Sequence, residues 1–125
     1  MIATSSTQPP IASSLVIEQF LRAVNARDLA TMGRLFGTAD GPIGKRDPVQ
    51  NVETRMYTLA TIMKHDDYKI ESAEIVPGRG EDATRVMVRM TIAQRIYRVP
   101  FTLVHSKGDV WLVEQIGIEE ITNRR

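Results

Sequence analysis

Histidine, carboxylate and arginine side chains are the groups in this sequence able to move protons, hold a metal or bind an anion, and their spacing decides which task is within reach. His105 and Asp109 could form a proton-transfer pair of the dehydratase kind, but they share one turn and read as a solvated hairpin end. His65, Asp66 and Asp67 put an imidazole beside two carboxylates, donor types that suit a transition metal. Adjacent residues rarely converge on one ion, and His65 reads instead as a helix-terminal residue near the negative end of the dipole. Arg85, Arg89, Arg95 and Arg98 fall on neighbouring strands and could bind an anion, yet pairing with Glu71, Glu74 and Glu114 makes them a solvated outer sheet face. Gly78 and Gly80 have no helix after them, which removes a phosphate cradle. The chain has no cysteine, so thiol nucleophiles, disulfides and thiolate metal sites are excluded. No catalytic residue, metal ligand or cofactor is assigned.

The elements that would position such groups follow from periodicity. With 125 residues the chain has the size of one domain, and a formal net charge of +1 gives no field that argues for nucleic acid or an anionic membrane. No apolar run is long enough to insert in a membrane, and the N-terminus lacks the pattern of a signal peptide. Residues 1–12, rich in Ser, Thr and Pro, read as a flexible lead, a tether if an export signal has been removed. Either a cytoplasmic or an exported location fits. A single domain spans 13–121 and a short tail spans 122–125.

Ile17, Phe20, Leu21 and Val24 make one stripe of a first helix from Ser13 or Ser14 to about Ala26. Asp28 caps a short second helix carrying Leu29, Met32, Leu35 and Phe36. The stretch from Thr38 to Arg46 reads as a loop that could carry a brief edge strand around Ile43, and Asp47-Pro48 as the start of a third helix with Val49, Val52, Met56, Leu59, Ala60 and Met63 inward. The period then falls to two, in strands from Tyr68 to Val76, Ala83 to Ala93, Arg95 to the turn at Ser106-Lys107-Gly108-Asp109, and Val110 to Ile118. Helices followed by antiparallel strands give an α+β fold, with three N-terminal helices on one face of a sheet of four or more strands.

Tyr57, Tyr97, Phe101 and Trp111 are the aromatic groups able to line a cavity, and Gln115 shares the strand parity of Trp111 and Val113. An amide among apolar neighbours needs a partner, which marks Gln115 as the pocket residue. The expected ligand is a hydrophobic small molecule, uncharged or weakly polar. Leu112, Ile116 and Ile118 on the opposite parity are too apolar for a face open to water, so they predict a homodimer through the sheet.

The stretch Phe20-Leu21-Arg22-Ala23-Val24-Asn25-Ala26-Arg27-Asp28, closing with Leu35-Phe36, resembles the opening of nuclear transport factor two-like domains, the cystatin-like α+β cone. Gly108-Asp109-Val110-Trp111-Leu112-Val113 is similar to their last hairpin. The resemblance covers roughly Leu15 to Ile118 and implies a strongly bent sheet whose mouth can hold a ligand. Its members include isomerases, epoxide hydrolases, cyclases and dehydratases, besides binding and dimerisation modules without chemistry. Tyr57 or Tyr97 could supply the hydroxyl of an isomerase-like oxyanion hole, but no carboxylate falls on the strand positions facing them. Asp40, Asp47 and Glu53 are the carboxylates that could reach the mouth if their loop folds inward. The chain therefore reads as a non-catalytic binding or accessory module. The alternatives are a cofactor-free isomerase, hydratase or cyclase, and a protein-interaction module of an exported or tethered protein.

Overall fold

Ile17, Phe20, Leu21 and Val24 recur every three to four residues and are fully buried, which fixes the inward face of helix α1, Ile11–Ala26. The computed structural model describes residues 11–123, so the expected lead lies outside the described residues except for Ile11 and Ala12, which are helical. α1 ends by a double closure in which Asp28 N donates to Ala23 O at 2.9 Å and Arg27 N to Val24 O at 3.1 Å. Arg27 takes the left-handed conformation that this closure requires, at φ 53°. Asp28 then caps α2, Leu29–Leu35: its carboxylate accepts from Thr31 N at 3.2 Å and from Thr31 Oγ1 at 2.7 Å.

The region expected to be a loop holds more structure than its composition suggests. Two short strands, β1 (Gly37–Thr38) and β2 (Gly41–Pro42), pair antiparallel, and a four-residue helix α3 follows, Ile43–Arg46. Four helices thus precede the main sheet rather than three. Glycine explains the extra one: a Cβ on Gly44 would lie 3.1 Å from Gly33 O, so its absence lets α3 settle against α2. Asp47 ends α3, and α4 (Val49–Met63) begins one residue later than Asp47-Pro48 predicts, with no side-chain cap. Its buried stripe is Val52, Met56, Ala60 and Met63, and Val49 is exposed.

The main sheet is an antiparallel meander of four strands in chain order, β3 (Asp67–Ile75), β4 (Ala83–Ile92), β5 (Arg95–Ser106) and β6 (Val110–Ile116). A short helix α5, Glu119–Thr122, closes the described chain. One face of the sheet, with Val86, Val88 and Met90 on β4 and Tyr97, Val99, Phe101 and Leu103 on β5, is buried in a single core with α1, α2 and α4. Phe20 of α1 meets Phe101 edge-on, with centroids 6.5 Å apart. This is the expected α+β arrangement.

Two bulges interrupt the ladder, at Glu71 in β3 and at Glu114 in β6. The second changes the reading of the last strand. Val113 lies opposite Leu103, but Gln115 lies opposite Thr102 and Ile116 opposite Phe101, so the extra residue reverses the alternation after Glu114. Gln115 therefore leaves the parity of Trp111 and Val113 and is exposed. Leu112 and Ile116, expected on one dimerising face, lie on opposite faces and are both buried within the monomer. Leu112 packs in the row with Val104 and Ala83, where the one-turn 3-10 helix of the β3–β4 connection rests on β5. The apolar face that motivated a homodimer is thus split in two and its Leu112 half is buried within the chain.

Candidate functional site

The bulge at Glu114 is where the sheet, the β3–β4 connection and α4 come together. Arg79, in that connection, donates from Nη1 and Nη2 to the two Glu114 carboxylate oxygens at 3.0 and 3.2 Å. These bonds and the carboxylate's charge raise the Arg79 pKa above its ordinary value. β6 ends the sheet order, and its outer edge is bridged by Phe36 at Val113. Beyond that bridge a cleft of about 430 Å³ separates the end of β6 from α4. Phe36, Leu59, Ile116 and Ile118 form its apolar walls, while Thr54, Arg55, Thr58, Glu114 and Gln115 supply polar groups. A volume of this size lies within the ~300–1,000 Å³ common for small-molecule sites.

α4 presents its polar side to the cleft in a defined state. Thr54 Oγ1 donates to Gln50 O at 2.9 Å and Thr58 Oγ1 to Thr54 O at 3.0 Å, so both hydroxyl protons are directed along the helix. The Arg55 guanidinium lies over the Phe36 ring, 5.5 Å from its centroid.

Of the five residues expected to line a pocket, Gln115 is the one that does so here. Tyr97 and Phe101 are buried in the core on β5, opposite Met90 and Val86. Trp111 is half-buried against His105, with ring centroids 5.2 Å apart. Tyr57 is 55% exposed on α4, under the guanidinium of Arg27 at 5.2 Å. The five do not converge. Sequence reasoning missed Phe36, Thr54, Arg55, Thr58 and Glu114 as neighbours, and no local signal in the sequence marks the bulge that places Glu114 among them.

The other chemically able groups are placed apart from the cleft. His105 Nε2 and Asp109 Oδ1 are 2.5 Å apart, at a hairpin end where the Asp109 side chain is 90% exposed. His65 is buried below α4: its Nδ1 lies 3.0 Å from Met63 O, and its backbone exchanges two hydrogen bonds with the Asn25 amide. Among the described residues no cluster of three or more His, Asp and Glu could hold a metal. Arg85 pairs with Glu74 at 3.4 Å and Arg98 with Glu71 at 3.1 Å on the outer sheet face, as their strand positions predict, whereas Glu114 pairs with Arg79. Asp40, Asp47 and Glu53 do not line the cleft. Among the described residues no helix is long and apolar enough to cross a membrane. Compared with known proteins, the chain matches no family model and no curated protein.

Proposed function

We propose that this chain is a non-catalytic binding module of the nuclear transport factor two-like type, and that the α4–β6 cleft is where it takes a hydrophobic small molecule. The observation that carries the reading is the cleft itself, in which apolar walls from Phe36, Leu59, Ile116 and Ile118 meet a few polar groups. Its one carboxylate has both oxygens engaged by Arg79, so taking a substrate proton would cancel the negative charge that holds this bidentate pair. That disfavours the isomerase, hydratase and cyclase alternatives. Helices packed on one face of a four-stranded antiparallel meander are the α+β layout that the resemblance implies, while the sheet is not strongly curled as a cone would have it. Dimerisation through Leu112, Ile116 and Ile118 is not part of the proposal, because the bulge divides that face.

The test is a thermal-shift screen of small apolar molecules against wild type and Thr58→Trp. Thr58 is exposed, so the indole fills the cleft without entering the core. Binders that raise the wild-type midpoint should leave the variant unmoved. Equal shifts in both proteins, or no shift from any molecule, would overturn the proposal.

A further inference from the structure

We infer that the ligand of the α4–β6 cleft is an amphipathic carboxylate, with one anionic end and an apolar tail, an inference that rests on the reading of this cleft as a binding site. The charge inventory carries it. Two ionised side chains line the cleft: Glu114, neutralised by Arg79, and Arg55, which forms no ion pair among the described residues. One positive charge is left uncompensated. Its guanidinium lies over the Phe36 ring while the side chain stays exposed, so the charge sits beside an apolar wall and open to a ligand.

The hydrogen-bond inventory points the same way. Thr54 and Thr58 already donate to α4 carbonyls, which leaves Arg55 as the charged side-chain donor lining the cleft, with Gln115 at the rim that the cleft shares with the outer sheet face. A single cation suits a carboxylate, a planar monoanion that guanidinium binds in a fork. A phosphate dianion would lack a second cation, and an ammonium ligand would be repelled. Leu59, Ile116 and Ile118 supply the surface for an alkyl or aromatic tail.

Isothermal titration with octanoate, octanol and octylammonium tests this. Wild type should bind octanoate about tenfold or more tightly than octanol and show no heat with octylammonium. Arg55→Met should reduce octanoate binding to the octanol level. Arg22→Met, in a separate groove between α1 and α2, should change neither. If octanoate and octanol bind equally, or Arg55→Met changes nothing, while Thr58→Trp abolishes binding, the carboxylate is wrong and the binding site stands. If neither molecule binds, or Thr58→Trp leaves octanoate binding unchanged, both the carboxylate and the cleft are overturned.

Discussion

Arg79 and Glu114 form a two-point ion pair, Nη1 to Oε1 at 3.0 Å and Nη2 to Oε2 at 3.2 Å, which joins the connection after β3 to the bulge in β6. The pair ties down the residue whose insertion reverses the strand's alternation, and it neutralises the cleft's one carboxylate. Their side chains remain 37% and 24% exposed, so water and salt screen the attraction. A double-mutant cycle with Arg79→Met and Glu114→Gln should give a coupling of about 0.5–1 kcal/mol that shrinks with added salt. A coupling indistinguishable from zero at low salt would contradict this assignment.

The hairpin between β4 and β5 closes at Ile92 and Arg95 on two residues, Ala93 and Gln94, both with positive φ, 50° and 70°. Such a turn follows the twist of the strands but favours asparagine and glycine over alanine and glutamine. Replacing Ala93-Gln94 by Asn-Gly should raise unfolding stability by about 1 kcal/mol in chemical denaturation, after allowing for the greater freedom of glycine in the unfolded chain. A loss of stability would mean that the turn has another geometry.

Phe101 is fully buried against Phe20, whereas Trp111 is half-buried against His105. Phe101→Ala should therefore cost about 3–5 kcal/mol and Trp111→Ala clearly less, despite the larger side chain removed. The reverse order in urea denaturation would place Trp111 in the core.

Much of this architecture was legible in the amino-acid sequence, because burial with a period near four or near two leaves a local trace. α1 is marked by Ile17, Phe20, Leu21 and Val24, and β4 by Val86, Val88, Met90 and Ile92. The end of β6 was not legible. Val113, Glu114, Gln115 and Ile116 read as plain alternation, and a single inserted residue moves Gln115 outward and Ile116 inward with no change in composition. α3 was hidden for another reason: Gly44 reads as a loop residue until Gly33 is placed against it. The cleft depends wholly on tertiary placement, since Thr54, Arg55 and Thr58 are ordinary polar positions on α4 until the edge of β6 lies opposite them.

Asp28 gives the acid dependence. Its carboxylate accepts from the Thr31 side chain and backbone, which holds its pKa below the ordinary 3.8. A pKa lower in the folded state means that the unfolded state binds the proton more readily. The cap's contribution is therefore complete above about pH 4 and is lost as pH falls through the folded pKa. Stability measured from pH 6 down to pH 2 should decline less steeply in Asp28→Asn than in wild type. Parallel curves would show that the carboxylate does not act as this cap.

Amide chemical-shift mapping during titration with octanoate examines the binding site most directly. The perturbed amides should cluster at Phe36, on α4 around Thr54, Arg55 and Thr58, and from Glu114 at the end of β6 to Ile118. Perturbations centred instead on the groove between α2 and α4 near Leu29 and Val52, or on the outer sheet face near Arg85 and Thr102, would contradict it.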